Sequence, residues 1–506
     1  GSNNVVPFTS TSLPFSSEVI NNWEHTLPLT ISAGQVAALI ADPTSFAGYS
    51  ASSSITITGN ITHTEASQLN TVNATSITAT VAQTTAANLA AISVDNSSRT
   101  SLNAFTFTLS DTSATSAILN SVKSITSGFI NASSLNSISG TASDVESLYN
   151  SSGITGLGNE DINLFYSYPT AALLKRLDND TSGTINAQLL TSIKGKASDL
   201  ITIYASSGIS GLGNETINIT SGTATTSQAN TLAAATSGIV TATISDGDMT
   251  TLAGLAETGN AYTVTVTDAS VAASALITLD TKTLVDINVT AVITITGTAT
   301  DINTVYAATG SINGLGNEAN TVTDTSITVA QANTLAAQTT GVVTATISDG
   351  DMTTLAGLAE TGNAYTVTIT DASVAASALN TLDSKTTISV IATAVNTITG
   401  TAAEINAVYT SNAAGTIVGL GNEAVTISDT SLSAAVLLTL DAQTTGMVNA
   451  AAVTTITGTF AEINAVYDAG ANGTILGLGN EAITITALLT VAQLNTLAAQ
   501  TTGIIT

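Results

Sequence analysis

The stretch Val425–Gly446, VTISDTSLSAAVLLTLDAQTTG, reads as one complete structural unit. Alternating β-branched residues at its start predict a strand. Asp, Ser and Thr follow where a helix N-cap belongs. Apolar residues at helical spacing come next, and Thr-Thr-Gly is a helix stop. Two related stretches repeat the plan: TVTITDASVAASALNTLDSKT from Thr366 to Thr386 and ITITALLTVAQLNTLAAQTTG from Ile483 to Gly503. In the first, Val374, Ala378, Leu379 and Leu382 mark the apolar face of the helix. The unit is therefore strand, cap, short helix and turn, with a period of about 20–22 residues.

A longer period encloses the short one. GLGNE begins at Gly156, Gly211, Gly314, Gly419 and Gly477, at intervals of 55, 103, 105 and 58 residues. An acidic residue opens a segment ending in Tyr before each copy: DVESLY at Asp144, DLITIY at Asp199, DINTVY at Asp301, and EINAVY at Glu404 and Glu462. The run TATISDGDMTTLAGLAETGNAYTVT occurs at Thr241–Thr265 and again, unchanged, at Thr344–Thr368. A catalytic site has no need of a second verbatim copy, whereas a building unit does.

Strand, crossover helix and parallel strand, repeated with short connections, wind into a solenoid whose crossovers are right-handed by the general rule. The sequence thus predicts a β/α repeat solenoid, a right-handed stack of strand-plus-helix coils on a parallel strand ladder. Adjacent strands sit about 4.8 Å apart, whereas packed helices prefer about 8–10 Å, so a curved or superhelical stack is expected. Roughly twenty coils would extend on the order of 90 Å. The coils containing GLGNE are expected to be longer, about 33 residues, with the extra length carried as a loop. Residues 1–28, holding Trp23, His25, Pro7, Pro14 and Pro28 without the repeat, are expected to form an N-terminal cap or linker, and 29–506 the array. Because the text stops at TTGIIT, in the opening strand of a new unit, a C-terminal truncation is expected.

Composition narrows the functional classes. Charged residues are only 8% of the chain while apolar ones are 43%, so the chain should fold, with hydroxyls and amides supplying solubility. Thirty-five acidic residues against eight basic ones give a net charge of -27, which opposes nucleic acid and anionic lipid as partners. Salt would screen that self-repulsion, so a saline or calcium-rich medium suits the composition. Cysteine is absent, removing disulfides and thiolate metal sites. No apolar run is long enough for a membrane span.

The densest acidic spot is ISDGDM at Ile244 and Ile347. Asp246 and Asp248, with Asp349 and Asp351 in the second copy, are the candidate metal ligands, and calcium the candidate ion, because Asp-Gly-Asp resembles part of a calcium loop. The same residues also read as helix N-caps with favourable charge at a helix start. Glu160, Glu215, Glu318, Glu423 and Glu481 of GLGNE invite the same two readings, and one carboxylate per loop favours a capped turn. Asn70, Asn230, Asn333, Asn380 and Asn495, within helical segments, suggest amide ladders between coils. Ranks of Thr on strand faces would suit ice, although Thr is also ordinary strand filler. Catalysis finds little: His25 and His63 lack repeated partners, and no nucleophile or phosphate-binding motif is present. The dense basic cluster, Lys175, Arg176, Lys194 and Lys196, stands apart from the Asp-Gly-Asp copies. No enzyme is expected.

The combined phrase of Gly419–Tyr467, GLGNEAVTISDTSL followed by TTITGTFAEINAVY, resembles arrays in the very large, repetitive secreted or cell-surface proteins of marine unicellular cyanobacteria. The similarity extends over most of the chain from about Ile130. It implies an extracellular setting, export in one step, and roles in the cell envelope, attachment or motility. Some of those proteins carry haemolysin-type calcium segments. This chain lacks their glycine-rich nonapeptide, so the resemblance assigns calcium to no residue here. The expected function is an extracellular structural or adhesive element, with the cell envelope or other copies of a surface protein as partners. The alternative is a ligand-binding solenoid for calcium, glycan or ice.

Overall fold

The computed structural model describes residues 28–93 and 101–506. All but Pro28 of the expected N-terminal cap lies outside the described residues. The chain divides into two compact units, one running to Ser245 and including Leu255–Tyr262, the other comprising Asp246–Gly254 and Thr263–Thr506. Both are β/α solenoids. Among the described residues, eighteen α-helices alternate with thirty-two short strands, and every strand pairing is parallel.

Within the first unit, Ile138, Ile162, Ile185 and Ile209 are successive partners on one ladder. In the second, Val374, Ile398, Val425, Val448 and Ile475 do the same. Each of these side chains is buried. Like sits on like because the sequence repeats in register. Pleating then sends the intervening Thr, Ser and Asn outward. On the helical side, Leu379, Leu382, Ile405, Val408, Leu437 and Leu440 meet the strand residues in the same core. Burying one such side chain is worth about 1.5–3 kcal/mol. No coil has a second layer of its own, so that burial exists only between neighbours.

Most of the described helices begin where the sequence places a hydroxyl. Thr141, Thr298, Thr401 and Thr459 each accept a hydrogen bond from the backbone N–H three residues on. Glu404 and Glu462 return the bond to their caps, completing reciprocal boxes. Exposed Thr residues inside the helices donate to the carbonyl four residues back, as Thr381 does to Ser377 and Thr439 to Ala435. These bonds let a surface poor in charge satisfy its hydroxyls locally.

Coil length departs from expectation. Ladder partners lie 20 residues apart at Thr344 and Ala364 and 27 apart at Thr397 and Ala424. No 33-residue coil with a projecting loop occurs at GLGNE among the described residues. Instead the motif is a tight turn joining two short strands, such as Ile417–Val418 and Ala424–Ile427. Additional length goes into the helix, which spans thirteen residues at Ala402–Ala414. The long sequence period is four coils, since three helices lie between those starting at Thr226 and Val329. The 55-residue interval is two coils.

The ladder makes Ile398 a sensitive position. Ile398→Ala should lower stability by about 2–5 kcal/mol through the cavity it leaves, read as a lower urea midpoint with circular dichroism unchanged at zero denaturant.

Candidate functional site

The five GLGNE glutamates, read from sequence as capping residues of turns, are completely buried. Each is held from three sides. The second glycine of the motif donates its N–H to the carboxylate, at 2.9 Å from Gly158 to Glu160 and 2.8 Å from Gly421 to Glu423. A tyrosine hydroxyl from the preceding helix donates to the same carboxylate: Tyr149 at 2.8 Å, Tyr204 at 2.8 Å, Tyr306 at 3.1 Å, Tyr409 at 3.1 Å and Tyr467 at 2.9 Å. The backbone carbonyl of the glutamate accepts from a threonine of the next coil, and Thr181, Thr236, Thr339, Thr444 and Thr501 all make this bond at 2.7 Å. Helix, turn and following coil are thereby tied at one residue.

Two glycines are obligatory here for different reasons. Gly419 has φ +94, and a Cβ there would also lie 3.0 Å from the backbone nitrogen of Thr393 in the preceding coil. Gly446, in the Thr-Thr-Gly that ends the next helix, sits so close that a Cβ would fall 2.2 Å from the Glu423 carbonyl oxygen. What reads as a helix stop is thus a contact surface for the turn beneath it.

Asp-Gly-Asp resolves into two separate caps. Asp351 accepts from Thr354 N at 2.9 Å and starts its own helix, while Asp349 accepts from Val329 N at 2.7 Å and completes the helix of the preceding coil. Asp248 caps its own helix in the same way through Thr251 N at 2.9 Å, and Asp246 is half-buried two residues before it. Hydrogen bonds from the Thr251 and Thr354 backbones hold Asp248 and Asp351 below the usual carboxylate range. Calcium requires six to eight converging oxygens. Asp349 and Asp351 serve two different helices, and no group of three or more His, Asp or Glu among the described residues could hold a metal ion. The donor set does not fit calcium.

The same reach into the preceding coil recurs from Asp111 to Ala86, Asp268 to Met249, Asp324 to Ala299, Asp371 to Met352 and Asp429 to Ala402. The helical asparagines also work between coils, but onto backbone rather than onto one another. Asn333 donates to the Gly357 carbonyl and accepts from Ala359 N, and Asn380 donates to the Glu404 carbonyl. Asn230 accepts from Ala256 N. Asn70 does meet an amide, that of Asn103, and donates to Ser93. Outward Thr ranks are short: Thr296, Thr321 and Thr344 align, flanked by Ala272 and Ala364.

Sequence reasoning noted the basic cluster without connecting it to the aromatic run Phe165–Pro169 one coil earlier. The usable signal was the break in the repeat: four other coils read Ser/Thr-Ile-Ser/Thr-Gly-Thr where this one reads Ser-Ile-Lys-Gly-Lys. Lys196 occupies the N-cap and makes no capping bond. Losing such a bond costs a helix about 1 kcal/mol.

No protein-family model matches the chain, and no curated protein matches it. No helix among the described residues is long and apolar enough to cross a membrane.

The buried glutamate–tyrosine pair sets two measurable limits. Burial pushes the Tyr306 hydroxyl up to about 12, with the neighbouring Glu318 charge adding to it, and raises Tyr409 as well. The protein-held proton stabilises the fold fully below pH 10.0, the ordinary tyrosine value, and that stability is lost as pH rises through the raised value. Thermal midpoints should therefore fall above about pH 10, and Tyr409→Phe should remove part of that alkaline slope. At neutral pH the same variant should cost about 1–3 kcal/mol, because the buried carboxylate loses a donor. Calcium at millimolar concentration, compared with a chelator, should leave the thermal midpoint unchanged.

Proposed function

We propose that this chain is a structural and adhesive repeat protein of a cell surface, exported to the outside and engaged with the envelope or with other copies of a surface protein. The observation that carries this reading is what the repeated polar residues do. The duplicated run and the residues flanking it form the same bonds twice: Asn260 and Asn363 accept from Val240 N and Val343 N at 2.8 Å, and Asp268 and Asp371 accept from Met249 N and Met352 N at 2.7 and 2.6 Å. Aspartates cap neighbouring helices, glutamates lock turns, and asparagines bridge coils. Among the described residues, these repeated groups serve the architecture.

A solenoid suits such a role because its stability grows with the number of coils and its surface can vary without altering the core. Low charge density and an acidic balance favour a salty exterior. The resemblance of Gly419–Tyr467 to cyanobacterial surface arrays points the same way.

Antibodies raised against the chain should label intact, unpermeabilised cells of the source organism, and protease added outside those cells should remove the signal. Labelling that appears only after permeabilisation would refute the location.

A further inference from the structure

Two neighbouring coils depart from the repeat where they touch. In the other GLGNE coils the strand after the motif leads into small, acidic or aliphatic residues and no aromatic one: Thr220–Thr223, Thr323–Ser326, Ser428–Ser431 and Thr486–Leu489. After the strand Asp161–Leu164 the chain instead reads Phe165, Tyr166, Ser167, Tyr168, Pro169. Phe165 is 44% exposed, Tyr166 69% and Tyr168 72%. Tyr166 and Tyr168 are the only exposed tyrosines among the described residues. Their loop is anchored rather than loose, since Phe165 N donates to the Gly140 carbonyl, and Thr170 caps the helix that follows.

The second departure lies against the first. Lys194 N donates to the Pro169 carbonyl at 3.2 Å, and Lys194 is the bridge partner of Thr170. Lys194 and Lys196 stand where other coils carry Ser139 and Thr141, Thr296 and Thr298, Thr399 and Thr401, or Thr457 and Thr459. Both lysines are exposed. They stand two residues apart, Lys194 in the strand Ser192–Gly195 and Lys196 at the N-cap of the helix that follows. The other two cations of the cluster are neutralised: Lys175 pairs with Asp199, and Arg176 with Glu146. Lys194 and Lys196 form no ion pair among the described residues. A cation at the N-cap position opposes the helix dipole and forfeits the capping bond. The helices that follow Ala272 and Ala375 also start without a side-chain cap, but Lys196 alone among the described α-helices puts a cation at that position, beside the most exposed aromatic loop.

We infer that Phe165, Tyr166 and Tyr168, together with Lys194 and Lys196, form a binding surface for an acidic polysaccharide. Aromatic side chains with hydroxyl tips offer flat apolar faces to sugar rings and keep their polar ends in water. Two unpaired ammonium groups supply attraction for carboxylates or sulfates repeated along a glycan chain. A membrane surface would call for a larger basic cluster and aliphatic insertion. Nucleic acid would present denser charge to a strongly acidic protein. The inference rests on these two coils alone and is independent of cellular location.

Calorimetric titration of the full chain with polygalacturonate, at about 0.15 M salt, provides the test. Binding should be measurable and should weaken about tenfold or more in K194T/K196T and in Y166S/Y168S, while neutral dextran gives no heat. Both double variants restore residue types that other coils carry, so folding should persist. The lysine variant should melt no lower than the parent because Thr at position 196 recovers the cap. Absence of polygalacturonate binding would overturn the inference, as would binding unchanged in both variants. Preferential binding to phosphatidylglycerol vesicles or to single-stranded DNA, run as parallel arms, would also overturn it.

Discussion

Parallel pairing in strict register is the constraint from which the other features follow. A coil of some two dozen residues has one short strand layer and one helix, and neither can shield the other from water at its open faces. Stacking like on like, as with Val374, Ile398, Val425, Val448 and Ile475, solves this with backbone hydrogen bonds and aliphatic contact together. Register also brings backbone within reach of backbone at the turns, which is why glycine sits at Gly419 and Gly446. Where the coils touch most closely, even a methyl group has no room.

Polar residues inherit their duties from that stacking. Each coil has helix N–H groups to satisfy and turns to close, and supplying the partners from the adjoining coil both satisfies them and fixes the spacing. A buried carboxylate such as Glu423 is tolerable because Gly421 N–H and the Tyr409 hydroxyl replace the water it gave up. Glu318 shows how finely this is set. Asn320 takes the ladder place that Ile162, Ile217, Val425 and Ile483 fill elsewhere, and the Tyr306 hydroxyl lies between Glu318 and Asn320. One carboxylate oxygen of Glu318 and the Asn320 amide nitrogen then lack protein partners.

Strand, cap and helix were legible in the sequence because each has a local signature: alternation in Val425–Ile427, a hydroxyl at Ser433, and leucines at helical spacing. The GLGNE turn was legible as a turn but not as an interior one, because a glutamate beside two glycines has the composition of a solvent-facing loop. Its burial depends on a tyrosine eleven to fourteen residues earlier and a threonine about twenty residues later. The Asp-Gly-Asp pairs were ambiguous for a related reason. Nothing local says that Asp349 belongs to a helix beginning twenty residues before it. The aromatic and basic segments were hidden differently: each breaks the repeat on its own, 25 or more residues apart in sequence, and only folding places Pro169 against Lys194.

The cap borrowed from the next coil gives the array a direction. The helix beginning at Ala402 is completed by Asp429, and the one beginning at Val329 by Asp349, always from the C-terminal side. As the chain leaves the ribosome, each helix capped in this way waits for the coil behind it before its first turn is finished. Wear follows the same polarity. A cut within a coil that carries such an aspartate strips a support from the helix upstream of it, whereas a capped helix downstream keeps the aspartate that completes it.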